Sequence, residues 1–205
     1  AWIIKGLVYE RSGDYNRSLE LYNQSIEIDA NIALAWNKKG DILGMLDRKE
    51  EAGKSYENAI EINPEYVTAW KNVGNIRYLL GKYNESFAAY DRAFELAPTD
   101  ASIWIKKGEI LEELGNYSES INAYNRAIKI NPDYASNPKY STDPTDPNAW
   151  VTKGDALQNQ GKINASLMAY DRAIQLRPID LNAWIGKGKA LEKIGNINDS
   201  LRAYD

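Results

Sequence analysis

Residues 68–101 read TAWKNVGNIRYLLGKYNESFAAYDRAFELAPTDA, and this stretch of 34 residues decides the fold. In its first half, Trp70, Val73 and Arg77 follow one another at spacings of three and four residues, which is the period of an α-helix. Gly81 comes where that pattern stops, at a position that favours a left-handed residue after a helix. The first half therefore predicts one helix that ends at a glycine turn.

The second half of the same stretch predicts another helix. Phe87, Tyr90 and Phe94 again lie three and four residues apart and form an apolar stripe. Asn84 is expected to be the N-cap of this helix, because asparagine side chains satisfy free backbone N–H groups at helix starts. Pro98 lies beyond the stripe, and proline cannot continue a helix. Together the two halves predict a helix–turn–helix hairpin.

This hairpin pattern recurs along the whole chain at intervals of 34 residues, with a single interval of 46. Three ladders of one residue type each share the same register. They are Trp2, Trp36, Trp70, Trp104, Trp150 and Trp184; Gly6, Gly40, Gly74, Gly108, Gly154 and Gly188; and Tyr22, Tyr56, Tyr90, Tyr124, Tyr170 and Tyr204. The glycine that ends the first helix also recurs, except in the second repeat, where Asp47 takes its place. Repeats of this length are the signature of stacked helical units.

The order of these residues resembles the tetratricopeptide repeat, in which Trp, Gly, a small residue, Tyr, Ala and Pro occur at the same offsets. The resemblance implies an all-α fold, a right-handed α-solenoid of stacked helix–turn–helix repeats with about five and a half units. We expect one solenoid domain over residues 1–205. Its units are expected near 1–33, 34–67, 68–101, 102–147, 148–181 and a truncated 182–205.

The fourth unit contains twelve extra residues, near 133–147. Three prolines fall there, Pro138, Pro144 and Pro147, and two of them follow aspartates in turn-starting pairs. Tyr134 and Tyr140 are candidates for attaching this segment to the surface. Two interpretations stay open: an insertion tolerated at a turn, or a loop that contacts a partner or alters the curvature.

The ladders also predict how the helices pack. Small residues such as Gly74 and Ser86 allow the two helices of a unit to approach closely, and we expect Tyr90 and Trp70 to fill the space between units. A lysine precedes the ladder glycine in five of the six units. These are Lys5, Lys39, Lys107, Lys153 and Lys187. We expect their stems to pack while the ammonium groups reach water.

Composition excludes several classes of function. The net charge of −4 argues against nucleic-acid binding, which depends on a surplus of Lys and Arg. Histidine and cysteine are absent, so Cys/His zinc sites and thiolate or imidazole catalysis are not available. Acidic pairs such as Glu112 and Glu113 are interpreted as solvated charge. We therefore expect no catalytic residues, no cofactor and no metal.

Location and membrane association are also addressed by the sequence. No apolar run approaches the length of about 18 residues that crosses a bilayer. The chain shows no basic-then-apolar leader. The absence of cysteine suits a reducing compartment. We expect a cytoplasmic protein without membrane contact.

The resemblance implies that side chains on the first helix of each unit line a groove and contact a ligand. Offsets of one, two and five residues after each Trp select the candidates, which are polar and basic in the middle of the chain and acidic further along. The candidate groove residues are Asn37, Lys38, Lys71, Asn72, Asn75, Lys106, Glu109, Thr152 and Asp155. Asn side chains can donate to and accept from a peptide backbone, and Lys can bind a carboxylate.

The function expected from these observations is a non-enzymatic scaffold that binds a peptide or a partner segment in the groove. Lys71 and Asn75 match the start of the family's carboxylate-binding clamp, but Lys106 and Thr152 depart from it, so that particular clamp is incomplete. Two alternative hypotheses remain. One is a targeting module cut from a larger enzyme or receptor, and the other is a structural repeat that associates with itself through its exposed ends.

Overall fold

The computed structural model describes residues 1–136 and 145–205. These residues form twelve α-helices and one short 3₁₀ helix, Pro132–Ser136, and contain no strand. The helices are α1 (Trp2–Ser12), α2 (Tyr15–Ile28), α3 (Ala33–Met45), α4 (Lys49–Ile62), α5 (Val67–Leu79), α6 (Tyr83–Leu96), α7 (Ala101–Glu113), α8 (Tyr117–Ile130), α9 (Pro147–Asn159), α10 (Ile163–Leu176), α11 (Leu181–Lys193) and α12 (Ile197–Tyr204). None of these described helices is long and apolar enough to cross a bilayer.

The chain forms two compact units, residues 1–103 and residues 104–205. In the first, the hairpins α1–α2, α3–α4 and α5–α6 stack in chain order, since α2 contacts α3 and α4 contacts α5. In the second, α9–α10 and α11–α12 stack through α10 and α11. Stacked helical hairpins confirm the predicted all-α, α-solenoid fold class. The division into a single domain stays a prediction.

Both units bury small and aliphatic side chains between neighbouring hairpins. Leu43, Val73 and Ile76 lie in the core of the first unit. In the second, Trp150 of α9 and Ala183 of α11 belong to one core. Each core therefore combines residues from two hairpins, so each hairpin covers an apolar face that its neighbour alone would leave open.

The turns inside the hairpins confirm one prediction and overturn another. Gly81 has a φ of 71°, and Asp47 replaces glycine with a φ of 59°, so both adopt the left-handed conformation. Asn84, however, is not an N-cap, because α6 begins at Tyr83 and Lys82 occupies the cap position. In the first hairpin the capping side chain is Asp14, two residues before the position that corresponds to Asn84, and it accepts from Arg17 N at 3.1 Å.

The ring of each ladder tyrosine packs against the ladder glycine of its own hairpin. That Tyr90 and Trp70 fill the space between units stays a prediction. Tyr90 lies against Gly74 of its own hairpin, where an added Cβ would meet the ring at 2.6 Å. Ser86 Oγ donates to the carbonyl of the same glycine at 2.7 Å. The Tyr170 ring also lies against Gly186 of the next hairpin, in addition to its own Gly154. Glycine is therefore required at the ladder positions, because the tyrosine ring occupies the space that a Cβ would need.

Three tryptophans of the ladder join their hairpin to the connection before it. Trp70 Nε1 donates to the carbonyl of Pro64 at 2.9 Å. Trp36 and Trp184 make the same bond to the residue six positions earlier. The indole therefore fixes the turn between repeats, in addition to filling space.

The lysines before the ladder glycines only partly follow the prediction. Lys39 Nζ lies 5.2 Å from the centroid of its own Trp36 ring, a cation–π arrangement, and Lys5, Lys107 and Lys187 do the same in their repeats. Lys107 and Lys153 are buried, at 6% and 8% exposure. These two residues expose little of their surface to water, less than the prediction implies.

Only the ends of the predicted insertion near 133–147 fall among the described residues. Tyr134 belongs to the 3₁₀ helix, and α9 begins at Pro147 with Asp146 as N-cap, whose side chain accepts from Asn148 N. Pro138, Tyr140 and Pro144 lie outside the described residues. The two interpretations of the insertion therefore stay predictions.

Candidate functional site

The candidate residues lie on the first helices of the hairpins, and three of them meet in the first unit. Asn37 is almost fully buried, with 2% exposure. Its side-chain oxygen accepts from Asn72 Nδ2 at 3.1 Å, and the same amide nitrogen donates to Asp41 Oδ1 at 3.2 Å. Lys38 Nζ donates to Asp41 Oδ2 at 3.0 Å. The amides of α3 and α5 therefore bond to each other and to a carboxylate.

The predicted basic character of this face is offset by carboxylates of the same chain. Lys38 also pairs with Glu10 at 3.3 Å, so one ammonium lies between two carboxylates. Lys71 pairs with Asp100 at 2.7 Å and donates to Ser102 Oγ at 2.9 Å. An incoming carboxylate would have to compete with these partners.

The carboxyl groups of the two ion pairs, Asp41 and Asp100, have pKa values that are shifted in opposite directions. Burial raises the pKa of the Asp41 carboxyl, and the nearby Lys38 ammonium and Tyr56 hydroxyl offset only part of that shift. Burial alone would also raise the pKa of Asp100, but the hydrogen bonds from Lys71 and Ser102 outweigh it, so the pKa of Asp100 is lowered. Burial lowers the pKa of Lys38, and its bonds to Asp41 and Glu10 outweigh that effect and raise it.

The hydroxyl groups of four ladder tyrosines, Tyr22, Tyr56, Tyr90 and Tyr170, donate to the first helix of their own hairpin. Tyr90 donates to Asn75 Oδ1 at 2.6 Å, and Tyr56 donates to Asp41 Oδ1 at 3.1 Å. Tyr22 uses Glu10 instead, at 2.7 Å. Burial raises the pKa of Tyr22 and Tyr56, and the neighbouring carboxylates Glu10 and Asp41 raise it further.

Sequence reasoning missed this role, although the sequence carries the signal. An acceptor stands five or eight residues after every ladder Trp, and each repeat supplies at least one. The acceptors at these offsets are Glu10, Asp41, Asn75, Glu109, Glu112, Asp155, Gln158 and Glu192. Asn75 and Asp155, proposed above as ligand contacts, are thus also partners of buried hydroxyl groups.

In the second unit, the remaining candidates are more open. Lys106 Nζ pairs with Glu109 Oε2 at 2.9 Å on the same helix. Thr152 donates back to the carbonyl of Asn148 at 2.9 Å, a bond within α9. Asp155 is exposed and accepts from the Tyr170 hydroxyl at 2.7 Å.

A cavity of about 500 Å³ lies between α9 and α11 on this face. Its lining includes two charged side chains, Asp155 and Lys189, and three carboxamides, Gln158, Asn159 and Asn182. Gly186 also lines it. In the other repeats, the position two residues after Trp carries Ile4, Lys38, Asn72, Lys106 or Thr152. The absence of a side chain at Gly186 therefore contributes to the opening.

The acidic residues of α7 do not form the solvated pair expected from the sequence. Glu112 is mostly buried and pairs with Lys153 at 2.7 Å. Glu113 pairs with Lys162 at 2.6 Å. Both carboxylates therefore join α7 to later helices of the second unit.

Family comparison gives the same architecture. Three models of the tetratricopeptide repeat match the chain, at residues 1–32 and 33–66, at 65–133 and at 151–205. The chain belongs to the tetratricopeptide repeat family. Its matched segments leave out most of the predicted insertion. No curated protein sequence matches the chain.

Solved structures of other proteins share this fold. PilF of Pseudomonas aeruginosa is 15% identical, with a TM-score of 0.60, and the match covers 99% of this chain and 86% of PilF. YrrB, a tetratricopeptide repeat protein with an unusual peptide-binding site, is 19% identical with a TM-score of 0.51, over 89% of this chain and 88% of YrrB. The first repeat domain of Spaghetti, bound to the HSP90 peptide SRMEEVD, is 22% identical with a TM-score of 0.54, over 55% and 90% of the two chains. At these identities the likeness shows the fold alone.

Proposed function

We propose that this protein is a non-catalytic interaction scaffold that binds an extended peptide or partner segment along the first helices of its hairpins. Membership of the tetratricopeptide repeat family supports the scaffold role, because repeats of this kind present extended binding surfaces. Two proteins with a similar fold, YrrB and Spaghetti, are described with peptide sites or bound peptides. The cytoplasmic location expected from the sequence is part of this proposal.

The observation that carries the proposal is the cavity between α9 and α11. It offers about 500 Å³ of open space, enough for several peptide residues. Asn159 and Asn182 line it and make no side-chain hydrogen bond with any described residue. Carboxamides both donate and accept, as a peptide backbone requires. The site is therefore polar, accessible and not satisfied by the chain itself.

Blocking this cavity tests the proposal. Random decapeptides displayed on phage are first selected against the intact chain. The selected peptides should lose binding to Asn182→Trp, because the indole would occupy the cavity, and should keep binding to the control Asn198→Trp on α12. Equal binding to both variants would place the ligand elsewhere. Far-UV circular dichroism confirms that both variants are folded.

The candidate residues of the first unit form the second part of the proposal. Asn37 and Asn72 are already bonded to each other, so we assign them a role in shaping the face. Lys71 becomes a direct contact for a carboxylate-bearing ligand that displaces its present partners, and Lys106 does the same separately within the second unit. Lys71→Glu and Lys106→Glu, tested one at a time, should each weaken binding of such a ligand by about 2–5 kcal/mol if the pair is desolvated. A selected ligand that binds a variant unchanged removes that lysine as a contact.

A further inference from the structure

The cavity between α9 and α11 carries two opposite charges that form no ion pair with the described residues. Asp155 lies on α9 and Lys189 lies on α11, and both are exposed. Neither makes an ion pair within 4.0 Å with any described residue. Elsewhere on the first-helix face, Lys38, Lys71 and Lys106 each bind a carboxylate. Lys189 therefore differs from these three lysines, because no described residue forms an ion pair with its ammonium group.

Tyr170 and Gly186 shape the surroundings of the two charges. The Tyr170 hydroxyl donates to Asp155 Oδ1 at 2.7 Å and to Gln158 Oε1 at 3.1 Å, which orients the carboxylate on the α9 side. Gly186 lies on α11 one turn before Lys189 and brings no side chain into the space between them. That glycine is also required by packing, because an added Cβ would lie 2.3 Å from the Tyr170 ring. Tyr170 thus orients one charge through its hydroxyl group and requires glycine at position 186 through its ring.

We infer that the cavity between α9 and α11 selects an extended peptide segment that carries one basic and one acidic side chain, two residues apart. The basic side chain binds Asp155, the acidic side chain binds Lys189, and the carboxamides of Asn159 and Asn182 bond to the backbone between them. This inference rests on the proposed function and specifies its ligand.

The spacing follows from the geometry of neighbouring helices and extended chains. Packed helices lie about 8–10 Å apart. In an extended peptide, side chains on one face are two residues and about 6.8 Å apart. Side chains of two adjacent peptide residues would point to opposite faces. A separation of two residues therefore presents both charges to the cavity, and long side chains cover the remaining distance.

Peptide selection with single-charge variants tests this inference. Random decapeptides displayed on phage are selected in parallel against the intact chain, Lys189→Met, Asp155→Asn and the control Lys193→Met, which changes an exposed lysine of α11 outside the cavity. Asp155→Asn keeps an oxygen that can accept from Tyr170. We expect the intact chain and the control to enrich segments with a basic and an acidic residue two positions apart.

The variants should lose the two preferences separately. Lys189→Met should lose the preference for the acidic residue alone, and Asp155→Asn the preference for the basic residue alone. A synthetic peptide from the enriched set should bind each variant about fivefold more weakly by fluorescence anisotropy, which corresponds to an exposed ion pair. Selected peptides without a charge preference, or a preference that the two variants keep, would overturn the inference but leave peptide binding in place. A selection that enriches no peptide would overturn the proposed function as well.

Discussion

The buried ion pair between Lys153 and Glu112 gives the sharpest prediction for stability. The side chains are 7% and 15% exposed, and Nζ lies 2.7 Å from Oε1. Ser120 Oγ lies 3.5 Å from the same ammonium, and the Tyr124 ring centroid lies 5.5 Å away. The pair joins α7 to α9 in the second unit, so its loss is expected to weaken the stacking of these repeats.

The magnitude follows from two opposing terms. At an effective dielectric constant of about 20, charges about 2.7 Å apart attract by about 6 kcal/mol. Removing each ion from water costs several kcal/mol, so the intact pair contributes little net stability. Lys153→Met keeps most of the stem but leaves the Glu112 carboxylate buried without its partner. We therefore expect this change to lower the free energy of unfolding by about 3–5 kcal/mol.

Urea denaturation at neutral pH measures the effect, followed by far-UV circular dichroism and by tryptophan fluorescence. Lys187→Met is the matched control, because Lys187 holds the same repeat position but is 26% exposed and pairs with the half-exposed Asp171. The control should cost less than about 1 kcal/mol. The double change Lys153→Met and Glu112→Leu should restore most of the loss. The reasoning is refuted if Lys153→Met costs no more than the control, or if the double variant loses the sum of both single effects.

Three further changes test packing, turn geometry and association. Gly74→Ala should destabilise the chain by about 1–2 kcal/mol in urea denaturation, because the added Cβ would overlap the Tyr90 ring. Gly44→Ala is the control and should be neutral or stabilising, because the atom nearest to its added Cβ is 4.0 Å away. Asp47→Gly should raise the free energy of unfolding by about 0.5–1 kcal/mol, since a φ of 59° strains any side chain, and an unchanged melting temperature would contradict this. The exposed apolar side chains of α1 and α12 predict concentration-dependent association in light scattering, which Leu201→Glu should reduce; a monomer mass at every concentration would reject it.

Features that recur in every repeat could be predicted from the sequence. The spacing of Trp, Gly and Tyr fixed the helical hairpins, because apolar residues three and four apart face one side of a helix wherever it lies. Asp47 could be assigned a left-handed turn because it occupies the register position of Gly81. The tyrosine acceptors could have been found in the same way, since an acceptor at one of two offsets accompanies each ladder Trp.

Only the tertiary structure decided which charged groups are paired and which are free. Lys38 binds Glu10 from 28 residues away, and Lys153 binds Glu112 from 41 residues away, so the expected basic groove and solvated acids became internal ion pairs. Charged residues vary from one repeat to the next, and their attraction depends on the distance between side chains rather than on sequence spacing. The period of the sequence therefore determined the helices and their register. The free charge of Lys189 and the space beside Gly186 emerged only when neighbouring helices were packed, because both depend on side chains from other repeats.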